Sequence, residues 1–206
     1  MVKNILWDFD GVILNSMQVR DYGFRKIFEG HETEQIEQLI HYHRTNGGWS
    51  RYVKIRYFYE EILKKNISEK EVLVLASAFS DIMRNELIKL EHLILDSLNF
   101  IKDNYKKFNF HIVSGSDEKE LQFLCEKLEI DSFFITITGS PTPKNSLVKS
   151  VIKSFGYDKD TTILIGDSIN DYEAAKKNSL RFYGYNNFSL LELSDFYINS
   201  FKEVKF

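Results

Sequence analysis

Asp8 and Asp10 stand one residue apart at the end of an apolar run, Ile5-Leu6-Trp7-Asp8-Phe9-Asp10-Gly11-Val12. Burying an ionised carboxylate is expensive unless a cation or hydrogen-bond donors compensate it. Two carboxylates at the end of a buried segment therefore point to a metal-assisted site. On this segment alone, Asp-Gly between apolar runs also reads as a hairpin turn. What separates the two readings is whether other segments bring complementary groups to the same place.

Three do. Ser114-Gly115-Ser116-Asp117 follows the apolar run Phe108–Val113. Gly139-Ser140-Pro141-Thr142-Pro143-Lys144 follows Phe133–Thr138 and holds the chain's only two prolines. Gly166-Asp167-Ser168-Ile169-Asn170-Asp171 follows Thr161–Ile165. Each is weak singly: Ser116 can cap a helix, Lys144 can be a solvated lysine, and Asp167 and Asp171 can favour a helix N-terminus. Together they supply four carboxylates, a hydroxyl with backbone amides, and an ammonium on a stiff loop. That set suits phosphoryl transfer. A divalent cation neutralises phosphate charge, one carboxylate attacks phosphorus, another moves the proton, and Ser114, the Gly115 backbone and Lys144 steady the phosphoryl oxygens.

The elements that must position these groups follow from periodicity. Val2–Phe9 reads as a buried strand. From Ser16 to about Leu90 helical spacing dominates, with helices expected over Val19–Phe28, Glu34–His43, Ser50–Lys64, Glu69–Phe79 and Ile82–Leu90. A helix over Asp96–Tyr105 precedes a strand–helix alternation: strands Phe108–Val113, Phe133–Thr138, Thr161–Ile165 and a last short one, Leu180–Tyr185, with helices Glu118–Leu128, Asn145–Phe155 and Asp171–Lys177 between them. This rhythm predicts an α/β fold with a parallel, Rossmann-like sheet, whose ligands sit beyond the carboxyl ends of the strands. An all-helical cap domain, residues 16–90, interrupts a core of residues 1–15 and 91–206, with hinges near Leu14–Met17 and Asn85–Glu91.

At these four segments the chain resembles the haloacid dehalogenase superfamily. DFDGVILNS (Asp8–Ser16), Ser114 of IVSGS, Lys144 of SPTPK and GDSIND (Gly166–Asp171) match its four motifs in order, and the helical insertion resembles the cap of the phosphoglycolate phosphatase-like branch. The resemblance implies roles. Asp8 is the nucleophile and a Mg2+ ligand. Asp10 is the acid/base and binds Mg2+ through its carbonyl. Ser114 and Lys144 hold the phosphoryl group, Asp167 binds Mg2+, and Asp171 orients Lys144 or acts through water. An aspartate at position 10 favours phosphate chemistry over dehalogenation. Val12 departs from the threonine usual in such phosphatases, which removes a local hydrogen bond but no catalytic group.

In the cap, Arg51 shares a helix face with Ile55, Phe58 and Ile62. It reads either as a side chain that snorkels to solvent or, with Lys54, as a substrate contact. The Gly47-Gly48 loop offers backbone amides nearby. His41 and His43 read as partly exposed structural residues.

The 206 residues, 43% hydrophobic and 28% charged, with net charge −3, give no general attraction to nucleic acid or anionic membrane. No run approaches a membrane span, and Asp8 and Asp10 interrupt any signal-peptide core. The single cysteine, Cys125, reads as a buried thiol on a helix. The expectation is a cytoplasmic, Mg2+-dependent phosphatase acting on a small phosphorylated metabolite through an aspartyl-phosphate. A sugar phosphomutase shares the chemistry. A non-catalytic binding module would be marked by a missing motif residue, and none is missing.

Overall fold

A computed structural model describes all residues, 1–206. Six parallel strands form one sheet in the order β3-β2-β1-β4-β5-β6: β1 Asn4–Trp7, β2 Asn109–Asp117, β3 Thr136–Ser140, β4 Thr162–Gly166, β5 Arg181–Tyr185 and β6 Phe196–Ile198. Every residue of β1 and β4 is buried, as strands covered by helices on both faces require. The strand order is that of a doubly wound fold, with its switch point between β1 and β4, where ligands are held. The expectation that Leu180–Tyr185 is the last strand is corrected by β6. That strand is three residues long and starts with the exposed Phe196, so it leaves no alternating pattern.

Four helices, α1 Met17–Ile27, α2 Thr33–Thr45, α3 Arg51–Tyr57 and α4 Glu69–Glu86, form the inserted helical cap. Phe24, Phe28, Leu39, Ile55, Phe58 and Phe79 pack in the same apolar cluster as Ile5 and Trp7 of the sheet. The Ser50–Lys64 helix is shorter than its pattern implies, because Phe58–Ile62 widens into a π-helical turn. The two helices expected over Glu69–Phe79 and Ile82–Leu90 are one, α4. No helix breaker lies between them, and Ser68 and Glu71 close a capping box at the start.

The cap joins the core through two linkers that run side by side. Asn15 N donates to His92 O at 2.7 Å and Ile94 N to Ile13 O at 2.9 Å. Four further helices serve the core: α5 Leu95–Asn104, α6 Glu118–Lys127, α7 Lys144–Phe155 and α8 Ile169–Lys177. Cys125, on α6, is buried, and burial holds its thiol up at about 12, which makes it inert. No helix is long and apolar enough to cross a membrane.

Candidate active site

Parallel pairing puts the ends of β1, β2 and β4 side by side. Trp7 is level with Ile112 on one side and Ile165 on the other, so Asp8, Ser114 and Asp167 emerge at one edge of the sheet. Asp8 is buried, and its amide donates to Ile165 O at 2.9 Å. Lys144, the first residue of α7, reaches back across the strand ends. Its Nζ donates to Asp8 Oδ1 at 2.8 Å and also to Asp171. Asp171 is fixed in turn by a capping box with Ser168, whose amide and hydroxyl both donate to Oδ2, at 3.0 and 2.6 Å.

Oxygens of Asp8, Asp167 and Asp171 lie within 4.8 Å of one another. Burial, then Asp171, pushes the Asp8 carboxyl up to about 7, against the pull of Lys144. Burial and Asp8 push Asp167 well above the usual carboxylate range. Crowded carboxylates with raised affinity for protons are a donor set for a hard divalent cation. Lys144 and Ser168 occupy Asp171, so Asp8 and Asp167 are the two carboxylates of the set left to ligate one. Gly11 closes over the same point. Its φ of +76° suits glycine, and a Cβ there would lie 1.9 Å from Asp167 Oδ2.

Asp10 faces a different environment. Its Oδ2 accepts from Ser116 Oγ at 2.5 Å, and its Oδ1 accepts from Arg20 Nε at 2.8 Å and from Ser16 Oγ. Burial pushes this carboxyl up, but Arg20 and the two hydroxyls outweigh burial and leave it below the usual range. Ser114 is buried beside Gly115, and its Oγ accepts from the Ser116 amide at 3.1 Å. Ser116 does not cap α6. Strand β2 continues through it, and the cap is Asp117, which accepts from Glu120 N at 3.1 Å.

The cap rests directly on these groups. Asn170 Nδ2 donates to Gly48 O at 2.7 Å, and Tyr52 Oη donates to Asp117 Oδ2 at 2.7 Å. Gly115 faces the same carbonyl so closely that a Cβ would sit 2.2 Å from Gly48 O. Arg51 is buried with its guanidinium on Glu120 of α6, through Nη1 at 2.6 Å and Nη2 at 2.8 Å, and on Ser80 at 2.5 Å. Lys54 is buried against His43 and Gly47 O. His43 is therefore not the partly exposed residue expected. It is buried under Phe24, because α2 turns it inward while His41 stays exposed.

A cavity of about 210 Å³ lies between cap and core, lined by Asp8, Asp10, Ser114, Gly115 and Asp167 from the core and by Arg20, Arg51 and Lys54 from the cap. Lys144 and Asp171 do not line it and reach it through Asp8. The sequence reading missed Arg20, Ser16 and Glu120. Arg20 lies four residues after Ser16, one helical turn along the same face, which is the signal that was available. Glu120 carries no such signal, since its partners lie far away in the chain.

The model of the haloacid dehalogenase-like hydrolase family matches residues 5–185. Solved structures with the same fold include β-phosphoglucomutase from Clostridium difficile (18% identity, TM-score 0.77, covering 100% of this chain and 94% of that one). A CbbY variant from Rhodobacter sphaeroides in complex with xylulose-(1,5)bisphosphate matches at 16% identity and TM-score 0.77, covering 98% and 96%. A predicted phosphoglycolate phosphatase from Haemophilus somnus matches at 17% and 0.73, covering 97% and 95%. No curated protein sequence matches the chain significantly. With its motifs gathered at one sheet edge and the family match spanning nearly the whole core and cap, the chain belongs to the haloacid dehalogenase-like hydrolases.

Proposed function

We propose that the chain is a Mg2+-dependent phosphatase that hydrolyses a small phosphomonoester through an aspartyl-phosphate on Asp8. The observation that carries this reading is the division between Asp8 and Asp10. The two carboxylates are separated by one residue, yet one is held by Lys144 inside an acidic cluster and the other by Arg20, Ser16 and Ser116. Paired carboxylates in opposed environments are the pattern of an enzyme that assigns them separate tasks.

Asp8 and Asp167, with the Asp10 carbonyl, would hold Mg2+. The bound ion would neutralise phosphate charge and keep Asp8 ionised. Asp8 Oδ attacks phosphorus, and the phosphorus–oxygen bond to the leaving group breaks. Asp10, held below the usual carboxylate range by Arg20, takes up a proton brought by the monoanionic phosphomonoester and gives it to the departing oxygen. In the second half, ionised Asp10 takes a proton from water, which attacks the phosphorus of the aspartyl-phosphate and releases phosphate and free Asp8. Lys144 fixes the nucleophile through Asp8 Oδ1, and Ser114 Oγ with the Gly115 amide steadies the phosphoryl oxygens. The cap, taken as residues 16–90, excludes bulk water from the cavity.

One observation keeps a phosphomutase as the second reading. The cap is pinned to the core by Asn170, Tyr52 and Glu120, and a cap held down on the site favours transfer to a sugar hydroxyl over transfer to water. A screen of metabolite phosphates with Mg2+ decides. Free phosphate release from one or more phosphomonoesters supports hydrolysis, isomerisation of a sugar phosphate without phosphate release supports the mutase, and the absence of both activities removes the catalytic reading.

A further inference from the structure

Beyond the ends of β1 and β4 the two chain segments part. Their last backbone bond runs from Asp8 N to Ile165 O at 2.9 Å, and no hydrogen bond joins residues 9–11 directly to Asp167. These are the loops that carry Asp8 and Asp167, two carboxylates of the acidic cluster. Like charges that close repel each other. Gly11 nevertheless packs on Asp167 with no room for a Cβ. Something else must hold the two loops at that distance.

A third segment does. Gly184 of β5 is level with Gly166 of β4, so the residues after β5 emerge beside Asp167. Asn186 donates from Nδ2 to Gly11 O at 2.9 Å, and Asn187 donates from Nδ2 to Asp167 O at 2.7 Å. Two consecutive side chains thus grip the two loops, one each. Both bonds end on backbone carbonyls, so they locate the chain itself.

The clamp is anchored in turn. Asn187 Oδ1 accepts from Ser189 N at 3.1 Å and from Ser189 Oγ at 2.8 Å, which orients the amide and leaves Nδ2 for Asp167. Leu190 holds the same turn down, fully buried in a cluster with Leu6, Leu164 and Phe182. Asn186 has a φ of +55°, a left-handed conformation that asparagine tolerates better than most residues. A turn that only carried the chain onward from β5 would need neither Nδ2 bond.

The spacing of the loops bears on which cation they suit. Mg2+ demands near-octahedral oxygen ligands at about 2.0–2.1 Å, whereas Ca2+ accepts flexible geometries at about 2.3–2.6 Å. Loops free to part suit the larger ion, and loops held together suit the smaller. Resting on the Mg2+-dependent reading above, we propose that Asn186 and Asn187 are positioning residues that fix the spacing of the Asp8 and Asp167 loops, so that the site prefers Mg2+ to Ca2+.

The test is equilibrium binding of Mg2+ and of Ca2+, each alone, by calorimetry on wild type, Asn187→Ala and Asn186→Gly, well below each melting midpoint. Glycine keeps the positive φ at position 186 and removes only the side-chain donor. Loss of a group that orients a metal ligand typically weakens metal binding ten- to a hundredfold. Each variant should therefore bind Mg2+ about tenfold more weakly than wild type, with Ca2+ weakened by about threefold or less. Wild-type Mg2+ affinity in both variants overturns the clamp. Equal weakening of both ions overturns it too, because a general loss of stability moves the two alike. If Asn187→Ala does not fold, Asn186→Gly decides. A wild type that binds no Mg2+ overturns the clamp together with the Mg2+-dependent reading. Mg2+ binding and p-nitrophenyl phosphate turnover by wild type, with both variants binding as wild type does, sink the clamp alone.

Discussion

Arg20 of the first cap helix donates from Nε to Oδ1 of Asp10 at 2.8 Å, so the cap holds the carboxylate assigned to proton transfer. Among the causes that lower its pKa against burial, the Arg20 charge comes first, before the Ser116 and Ser16 hydroxyls. Replacing Arg20 with Met removes that charge, and the Asp10 pKa rises. The limb of the kcat/KM profile set by Asp10 then moves to higher pH. The check is a pH–rate profile of wild type and Arg20→Met on one aryl phosphate. A limb that stays in place or moves to lower pH contradicts the assignment.

Gly115 and Gly48 meet across the cap–core boundary with no room for a side chain. Gly115→Ala forces the Gly48 carbonyl away and holds the cap off the core. Ångström-scale misplacement of this kind lowers kcat/KM by on the order of a hundredfold. The thermal midpoint should move little, because the contact is at a boundary and not within a core. Steady-state kinetics and a melting curve on the same sample separate the two effects.

Glu120 is fully buried on α6 and serves Arg51 and Arg20 of the cap. Glu120→Gln leaves the buried Arg51 guanidinium without its counter-ion and Arg20 with Asp10 alone. Breaking a buried pair on one side costs about 3–5 kcal/mol, and urea unfolding should show a loss of that order. A loss below about 1 kcal/mol would place the pair with weak surface bridges.

Acid stability is set in part by two buried neutral histidines. Burial, then Lys54, Arg20 and Arg44, pushes His43 down to about 2, and burial pushes His111 down to about 4. A depressed histidine means that the unfolded chain binds more protons than the folded one below its ordinary pKa. Stability therefore falls as pH drops below about 6.5, by about 1.4 kcal/mol per pH unit for each such group until its folded pKa is reached. His43→Gln should flatten the slope of unfolding free energy between pH 6 and pH 4 by about that amount per unit. An unchanged slope would show that His43 is protonated in the folded protein.

The sequence made the strand-end chemistry legible because it is local. Asp8, Ser114, Lys144 and Asp167 each follow an apolar run, and a parallel sheet brings such ends together whatever the loops do. The cap chemistry was less legible because it is non-local. Arg51 and Glu120 are 69 residues apart, and Arg20 and Glu120 are 100 apart, so no spacing announces them. Lys54 and Arg51 sit three residues apart on one helix and looked alike, yet a carboxylate from the core answers one and none answers the other. The three-residue strand β6 and the π-helical turn at Phe58–Ile62 left no periodic signal either, since each is too short to show one.

The central claim is that Asp8 is the attacking group. The most direct measurement is turnover of p-nitrophenyl phosphate, or of the best metabolite phosphate from the screen, by Asp8→Asn protein with Mg2+, beside a circular dichroism melt. The account predicts no measurable turnover from a protein that remains folded, because the amide keeps the shape and the Lys144 contact but lacks the nucleophilic charge. Near-wild-type turnover by folded Asp8→Asn protein would contradict it.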